Sequence, residues 1–197
     1  MSFQPKINMI ATIERIFLES IKVKQETLKN NSLQIVASAE AIIGAFKNKH
    51  KVFFCGNGGS AADSQHIAAE FVGRFQKERS AWPAIALTTD TSALTALGND
   101  YSFDIVFSRQ LQALGEQGDV LVAISTSGNS KNVLEAVKQA KMMGIKTIGV
   151  TGGSGGGLAS LCDIAIIAAS SKTARIQESH LCIFHSICEL VENSLTK

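Results

Sequence analysis

Apolar residues at Ile10, Ile13, Phe17 and Ile21 recur at the spacing of one helix face, and the stretch from Leu33 to Phe46 repeats the pattern, so the chain opens with two predicted helices. From Lys51 the pattern changes. "KVFFC", "PAIAL", "DVLVAIS", "KTIGVT" and "DIAII" are short apolar runs, each followed by polar or Gly-rich residues, and helical patterns from Ala61, Phe103, Ser130 and Thr173 fall among them. Strands that are apolar on both faces and joined by helical crossovers imply a parallel sheet covered on both sides. The predicted architecture is an α/β three-layer sandwich with extra N-terminal helices. It forms a single domain over 1–197, with a helical segment at 1–49.

Composition narrows the function classes. Of 197 residues, 45% are hydrophobic and 18% charged, and the net charge of +2 provides no basic patch of the kind nucleic acid demands. An anionic partner must therefore be held locally. No stretch of about 18 uncharged apolar residues occurs, and the first residues, "MSFQPKINMIATIERIF", mix charges into their apolar positions. A cytoplasmic protein that binds neither nucleic acid nor membrane is expected. Cys55, Cys162, Cys182 and Cys188 stand among apolar neighbours without CxxC spacing, which favours reduced, buried thiols.

In parallel sheets, ligands bind beyond the carboxyl ends of the strands, where the following helices point free N–H groups. Three unusual loops fall there. "STSGNS", Ser125 to Ser130, packs four hydroxyl side chains into six residues ahead of a helix, which suits an anion cradle or an ordinary turn with Ser130 as N-cap; the two are compatible. The glycines of "CGNGGS" let backbone approach a ligand, or permit a tight turn. "TGGSGGG" is expected to be plain flexibility. None is a Walker A or GxGxxG motif, so a nucleotide is not the default ligand. His66 and Glu70, four apart, share one helix face and can reach one cation. Asp63, a turn earlier, either orients His66 or favours the helix start by its charge.

The motifs "CGNGGSAADSQHIAAEF", "ALGND", "AISTSGNS" and "ARIQESHLCIFH", in order and over nearly the whole chain, resemble the phosphoheptose isomerases of the sugar isomerase (SIS) domain superfamily. The resemblance implies a flavodoxin-like five-stranded parallel sheet and a homotetramer. It also implies interconversion of sedoheptulose 7-phosphate and glycero-manno-heptose 7-phosphate for lipopolysaccharide or capsule synthesis. Carried over by position, it assigns Ser125, Thr126, Ser127 and Ser130 to the phosphate, and Asn57, Gly58, Gly59, Asn99 and Asp100 to the sugar. His66, Glu70, Gln177 and His185 match the metal positions, usually filled by zinc. Glu70 and Gln177 also match substrate contacts, and Glu70 and His185 match the proposed base and acid.

Gln177 and His185 lie eight apart on one predicted helix, about 12 Å along its axis and roughly 80° around it. One metal could be spanned by both extended side chains, but ligands drawn from more than one chain are the expected arrangement. His185 also falls on a stripe with Glu178, Glu189 and Glu192 and could be a surface histidine paired with glutamates. The rest of that helix, with Leu181, Ile183, Phe184, Ile187, Leu190, Val191 and Leu195, is apolar almost all round, which predicts burial against another subunit.

Two alternatives stand beside the isomerase. One is a non-catalytic SIS-domain protein that binds a phosphosugar or a replication initiator, a branch that "TARIQE" somewhat resembles; Glu70 and His185 argue against it. The other, an isomerase of the glucosamine-phosphate synthase type, is disfavoured by the single sugar isomerase domain and the lack of an amidotransferase.

Overall fold

The computed structural model describes residues 4–196. Along the chain run α1 (Gln4–Lys47), β1 (Val52–Gly56), α2 (Gly59–Val72), β2 (Ala84–Ala86), α3 (Thr91–Asp100), a 3-10 turn (Phe103–Ile105) and α4 (Val106–Leu114). There follow β3 (Val120–Ser125), α5 (Lys131–Met142), β4 (Lys146–Gly152), α6 (Gly156–Leu161), β5 (Ile164–Ala168) and α7 (Thr173–Leu195). The five strands are parallel, as the apolar runs predict, and lie in the order β2-β1-β3-β4-β5.

The strands β1 and β3 are buried at every position, so each divides its side chains between two cores. Phe54, Val122 and Ile124 meet Ile42 of α1, Ile67 and Phe71 of α2 and Phe184 of α7 on one face. Phe53, Leu121 and Ala123 meet Phe107 of α4, Val133 and Val137 of α5 and Leu158 of α6 on the other. The alternation of Phe53 and Phe54 is the three-layer sandwich in miniature.

Four expectations need correction. The first is the pair of N-terminal helices, which are one helix of 44 residues, about 66 Å long at 1.5 Å per residue. No Gly or Pro falls between the two apolar stretches, so the helix runs on, and Asn31 stays within it with its side chain bonded to the chain beyond. Its Nδ2 donates to the carbonyls of Thr27 (2.9 Å) and Ile167 (3.0 Å), and its Oδ1 accepts from the Ile167 N–H at 2.9 Å. Thr27 Oγ1 accepts from the Ala169 N–H at 3.0 Å, so α1 caps the open edge of β5.

Second, the apolar surplus lies on α1 rather than α7. Ile183, Phe184, Ile187 and Val191 are buried within the chain, between α1, α2 and the sheet. By contrast Met9, Ile10, Ile13, Phe17, Leu18 and Ile21 of α1 are all more than half exposed. Third, α3 and α6 were not expected; α3 starts on Asp90, whose carboxylate accepts from the Ala93 N–H at 2.9 Å. Fourth, the thiols differ in setting. Cys55 and Cys188 are buried, and burial pushes the Cys188 thiol up to about 12, but Cys182 is exposed and Cys162 only partly covered.

Candidate active site

Three hydroxyls of the loop after β3 converge. The buried Ser125 Oγ lies 3.0 Å from Ser130 Oγ and 3.5 Å from Ser127 Oγ. Ser130 occupies the N-cap position of α5, yet its side chain makes no capping bond. Its hydroxyl is turned into the loop, where it can serve a ligand held at the helix N-terminus. Thr126 is half-buried beside it.

The glycine loop after β4 is not slack, against the expectation of flexibility. The Leu158 N–H donates to the Gly128 carbonyl at 2.9 Å, and the Gly157 N–H donates to Asn129 Oδ1 at 3.0 Å. Gly156 has φ +55°, and a Cβ there would stand 2.6 Å from the Ser127 carbonyl oxygen. Glycine is required because two backbones touch, and the second loop buttresses the first.

The loop after β1 is tied to the same place. Asn57 and Asn132 exchange amide hydrogen bonds at 2.8 and 2.9 Å, joining the sugar-contact candidate to the first turn of α5. Gly58, with φ +55°, opens α2. A Cβ on Gly59 would lie 2.0 Å from Gln177 Nε2, so that glycine makes room for the amide of α7.

Helices α2 and α7 run in the same direction, since Gly59 meets Gln177 at one end and His66 meets His185 further on, with ring centroids 5.3 Å apart. His66 Nε2 lies 3.0 Å from Glu70 Oε1. His185 Nε2 is buried without a hydrogen-bond partner, and among the described residues no glutamate pairs with it, so the surface-histidine alternative does not hold. Two imidazoles and a carboxylate, one nitrogen of them bare and buried, are the donor types zinc takes, but within one chain their ligand atoms do not all come within 4.8 Å of one another. Gln177 sits at the other end of this stripe, seven residues of α2 away from His66, and is not beside the trio within one chain. Asp63 Oδ2 is buried and unpaired rather than bonded to His66. Burial raises the pKa of its carboxyl, with His66 pulling the other way. Asn99 and Asp100 end α3 exposed, with Asn99 Nδ2 donating to Asp100 Oδ1 at 2.8 Å.

Two residues of the site escaped sequence reasoning. Asn132 carries no signal beyond its place after the hydroxyl loop. His180, fully buried, places Nε2 3.0 Å from the Thr151 carbonyl and so donates from that nitrogen; burial pushes its pKa down to about 4, which keeps the ring neutral. It fastens α7 to the end of β4.

At the opposite end of the sheet, His50, Glu116 and Asp119 have ligand atoms within 4.8 Å of one another and could hold a cation. Lys51 already brings positive charge there, with Nζ 2.6 Å from Glu116 Oε1 and 3.4 Å from Asp119 Oδ2. Asp119 also accepts from the N–H groups of Lys51 (2.7 Å) and Glu116 (2.9 Å), which is the work of a structural staple.

A SIS domain family model matches residues 16–152. A phosphoheptose isomerase of Nitratiruptor sp. is 53% identical over 186 residues, covering 94% of this chain and all of that protein. One from Campylobacter concisus is 58% identical over 157 residues, 80% of this chain and 83% of the relative. Among solved structures, phosphoheptose isomerase GmhA from Neisseria gonorrhoeae matches with TM-score 0.88 and 46% identity, over 94% of this chain and 99% of that one. The Vibrio vulnificus NanR protein complexed with ManNAc-6P matches at 19% identity and TM-score 0.61, over 91% of this chain and 63% of that one, which shows the shared fold alone. Sequence identity of about half across nearly the full length, on the same five-stranded fold, places this chain in the phosphoheptose isomerase family of SIS-domain enzymes.

Proposed function

We propose that the chain interconverts sedoheptulose 7-phosphate and glycero-manno-heptose 7-phosphate through an enediol, as one SIS domain spanning residues 1–197. The observation that carries this is the pairing of a hydroxyl cradle at the carboxyl ends of the strands with a stripe of His66, Glu70 and His185 two to three turns further along α2 and α7, which a neighbouring copy would bring to the substrate. Moving a proton between adjacent carbons needs a base near the carbon, an acid or Lewis acid at the carbonyl oxygen, and an anchored phosphate. Ser125, Thr126, Ser127, Ser130 and the first amides of α5 hold the phosphate without a Lys or Arg. Asn57, Gly58 and Gly59 approach the sugar, with Asn57 fixed by Asn132. Glu70 takes the proton and His185 serves the oxygen.

His66, Glu70 and His185, joined by Gln177, are the residues that would hold zinc. When bound, zinc supplies polarisation of the carbonyl and charge stabilisation of the enediolate. A Glu70 engaged as a ligand is a weaker base, so its two roles compete. The distance of Gln177 from the trio supports a site completed between copies, in which the exposed Asn99 and Asp100 also find their substrate. The test is direct: the pure protein incubated with sedoheptulose 7-phosphate, with and without zinc, should form the aldose by NMR. Absence of aldose under both conditions would refute the assignment.

The exposed apolar residues of α1 support a homotetramer. Light scattering at micromolar concentration is expected to give about four times the 21.0 kDa chain mass; a monomer would overturn this. Among the described residues no helix is long and apolar enough to cross a membrane. We place the enzyme in the cytoplasm, supplying heptose for lipopolysaccharide or capsule.

A further inference from the structure

Between α2 and β2, residues 73–83 form neither helix nor strand, yet two nearly buried charges hold them. The carboxylate of Glu192, on α7, accepts from the backbone N–H groups of Phe75 (3.2 Å), Gln76 (2.9 Å) and Lys77 (3.0 Å) and from Arg79 Nε at 3.3 Å. Its side chain is 2% exposed and that of Arg79 4%. Burial opposes the charge on Glu192, but these donors outweigh it and hold the carboxyl below its ordinary range. The guanidinium of Arg79 stacks 3.6 Å over the Trp82 ring. Its Nη1 donates to the carbonyls of Phe71, Gly73 and Ser80, and its Nη2 donates to the Glu70 carbonyl at 2.7 Å.

Burying a charged pair is unfavourable unless every group is matched, so a strap needed only as cover would be better made of apolar side chains. What this one grips is specific. Arg79 satisfies carbonyls in the last turn of α2, the turn that carries Glu70. Phe75, on the same strap, sets its ring 5.6 Å from that of His185, which in turn lies 5.3 Å from His66. One buried carboxylate thus connects to both groups assigned to proton transfer, while the phosphate cradle lies on other loops.

We infer that Glu192 and Arg79 are positioning residues of the isomerase site: they hold the strap so that Phe75 fixes the His185 ring and the final turn of α2 fixes Glu70. This rests on the roles given above to Glu70 and His185. The chain has a single tryptophan, Trp82, beneath Arg79, so its fluorescence reports the strap independently of activity.

Glu192→Gln, Arg79→Lys and Phe75→Ala are to be compared in the full chain by kinetics, tryptophan emission and thermal melting. Glu192→Gln keeps the size of the side chain but turns an NH2 group toward backbone N–H donors. It should shift Trp82 emission and lower kcat about tenfold or more with KM nearly unchanged, the scale set by small misplacements of reacting groups. Arg79→Lys should follow the same direction more weakly. Phe75→Ala removes the ring against His185 together with its packing on the core, so it should lower both melting temperature and kcat while the protein stays folded at assay temperature, and it decides the matter if Glu192→Gln does not fold. Wild-type kcat in both Glu192→Gln and Phe75→Ala, or a loss in which KM moves with kcat, overturns the inference. Glu70→Gln and His185→Ala run alongside: if they are inactive while the strap variants are normal, only this inference fails, and if they are active the roles beneath it fail.

Discussion

Glu70→Gln is expected to lower kcat at least about a hundredfold, the lower scale for loss of a general base, with the fold intact. The amide has the shape of the carboxylate and stays within reach of His66, whose Nε2 lies 3.0 Å from Glu70 Oε1, so packing on α2 is preserved. What is lost is the ability to take a proton, together with the negative charge that a cation would require. His185→Ala should be comparably damaging, because its Nε2 is buried with no hydrogen-bond partner to explain it. Chelation separates the two accounts of these residues. If removing zinc leaves the wild type active while both variants are dead, direct acid–base work stands and the metal role falls. Near-normal turnover in both variants would remove these residues from the chemistry.

The second large effect is on KM. Ser127→Ala combined with Ser130→Ala should raise it on the order of a hundredfold, at about 1.5 kcal/mol for each hydrogen bond lost to a charged group. Because the phosphate is unchanged by the reaction, its contacts are shared by substrate and transition state, and kcat should hold. Helix α5 should survive the change, since Ser130 makes no side-chain cap to lose. Steady-state kinetics decide it: both constants at wild-type values would mean that the hydroxyl loop is not the cradle.

The sheet was legible because strands covered on both faces must be apolar throughout, and "VFFC" and "VLVAI" are. The hydroxyl loop stood out by composition, and helical spacing put His66 and Glu70 on one face, but only the family resemblance singled that pair out. The rest depended on distant partners. Asn31 carries no signal until the edge of β5, 136 residues later, takes up its amide. "TGGSGGG" looks slack until Gly156 is seen against the Ser127 carbonyl. The Asn57–Asn132 amide pair spans 75 positions and the Glu192–Arg79 pair 113, with no periodicity to mark either. Gln177 could be assigned to a helix from sequence, but its place against Gly59 follows from how α7 lies on α2.

The capped edge of β5 has a consequence for how copies of this chain can meet. A parallel sheet ends in two rows of unpaired N–H and C=O groups, which invite another chain to add a strand without limit. Here one edge, β2, is only three residues long and follows Pro83, which has no N–H to offer. The other is occupied by Asn31 and Thr27, side chains that take the hydrogen bonds a foreign strand would seek. The helix that carries the exposed apolar residues is therefore the same helix that closes the sheet. Crowding copies together along it brings no open β edge into reach, so association through α1 can end in a finite assembly instead of growing into a fibre.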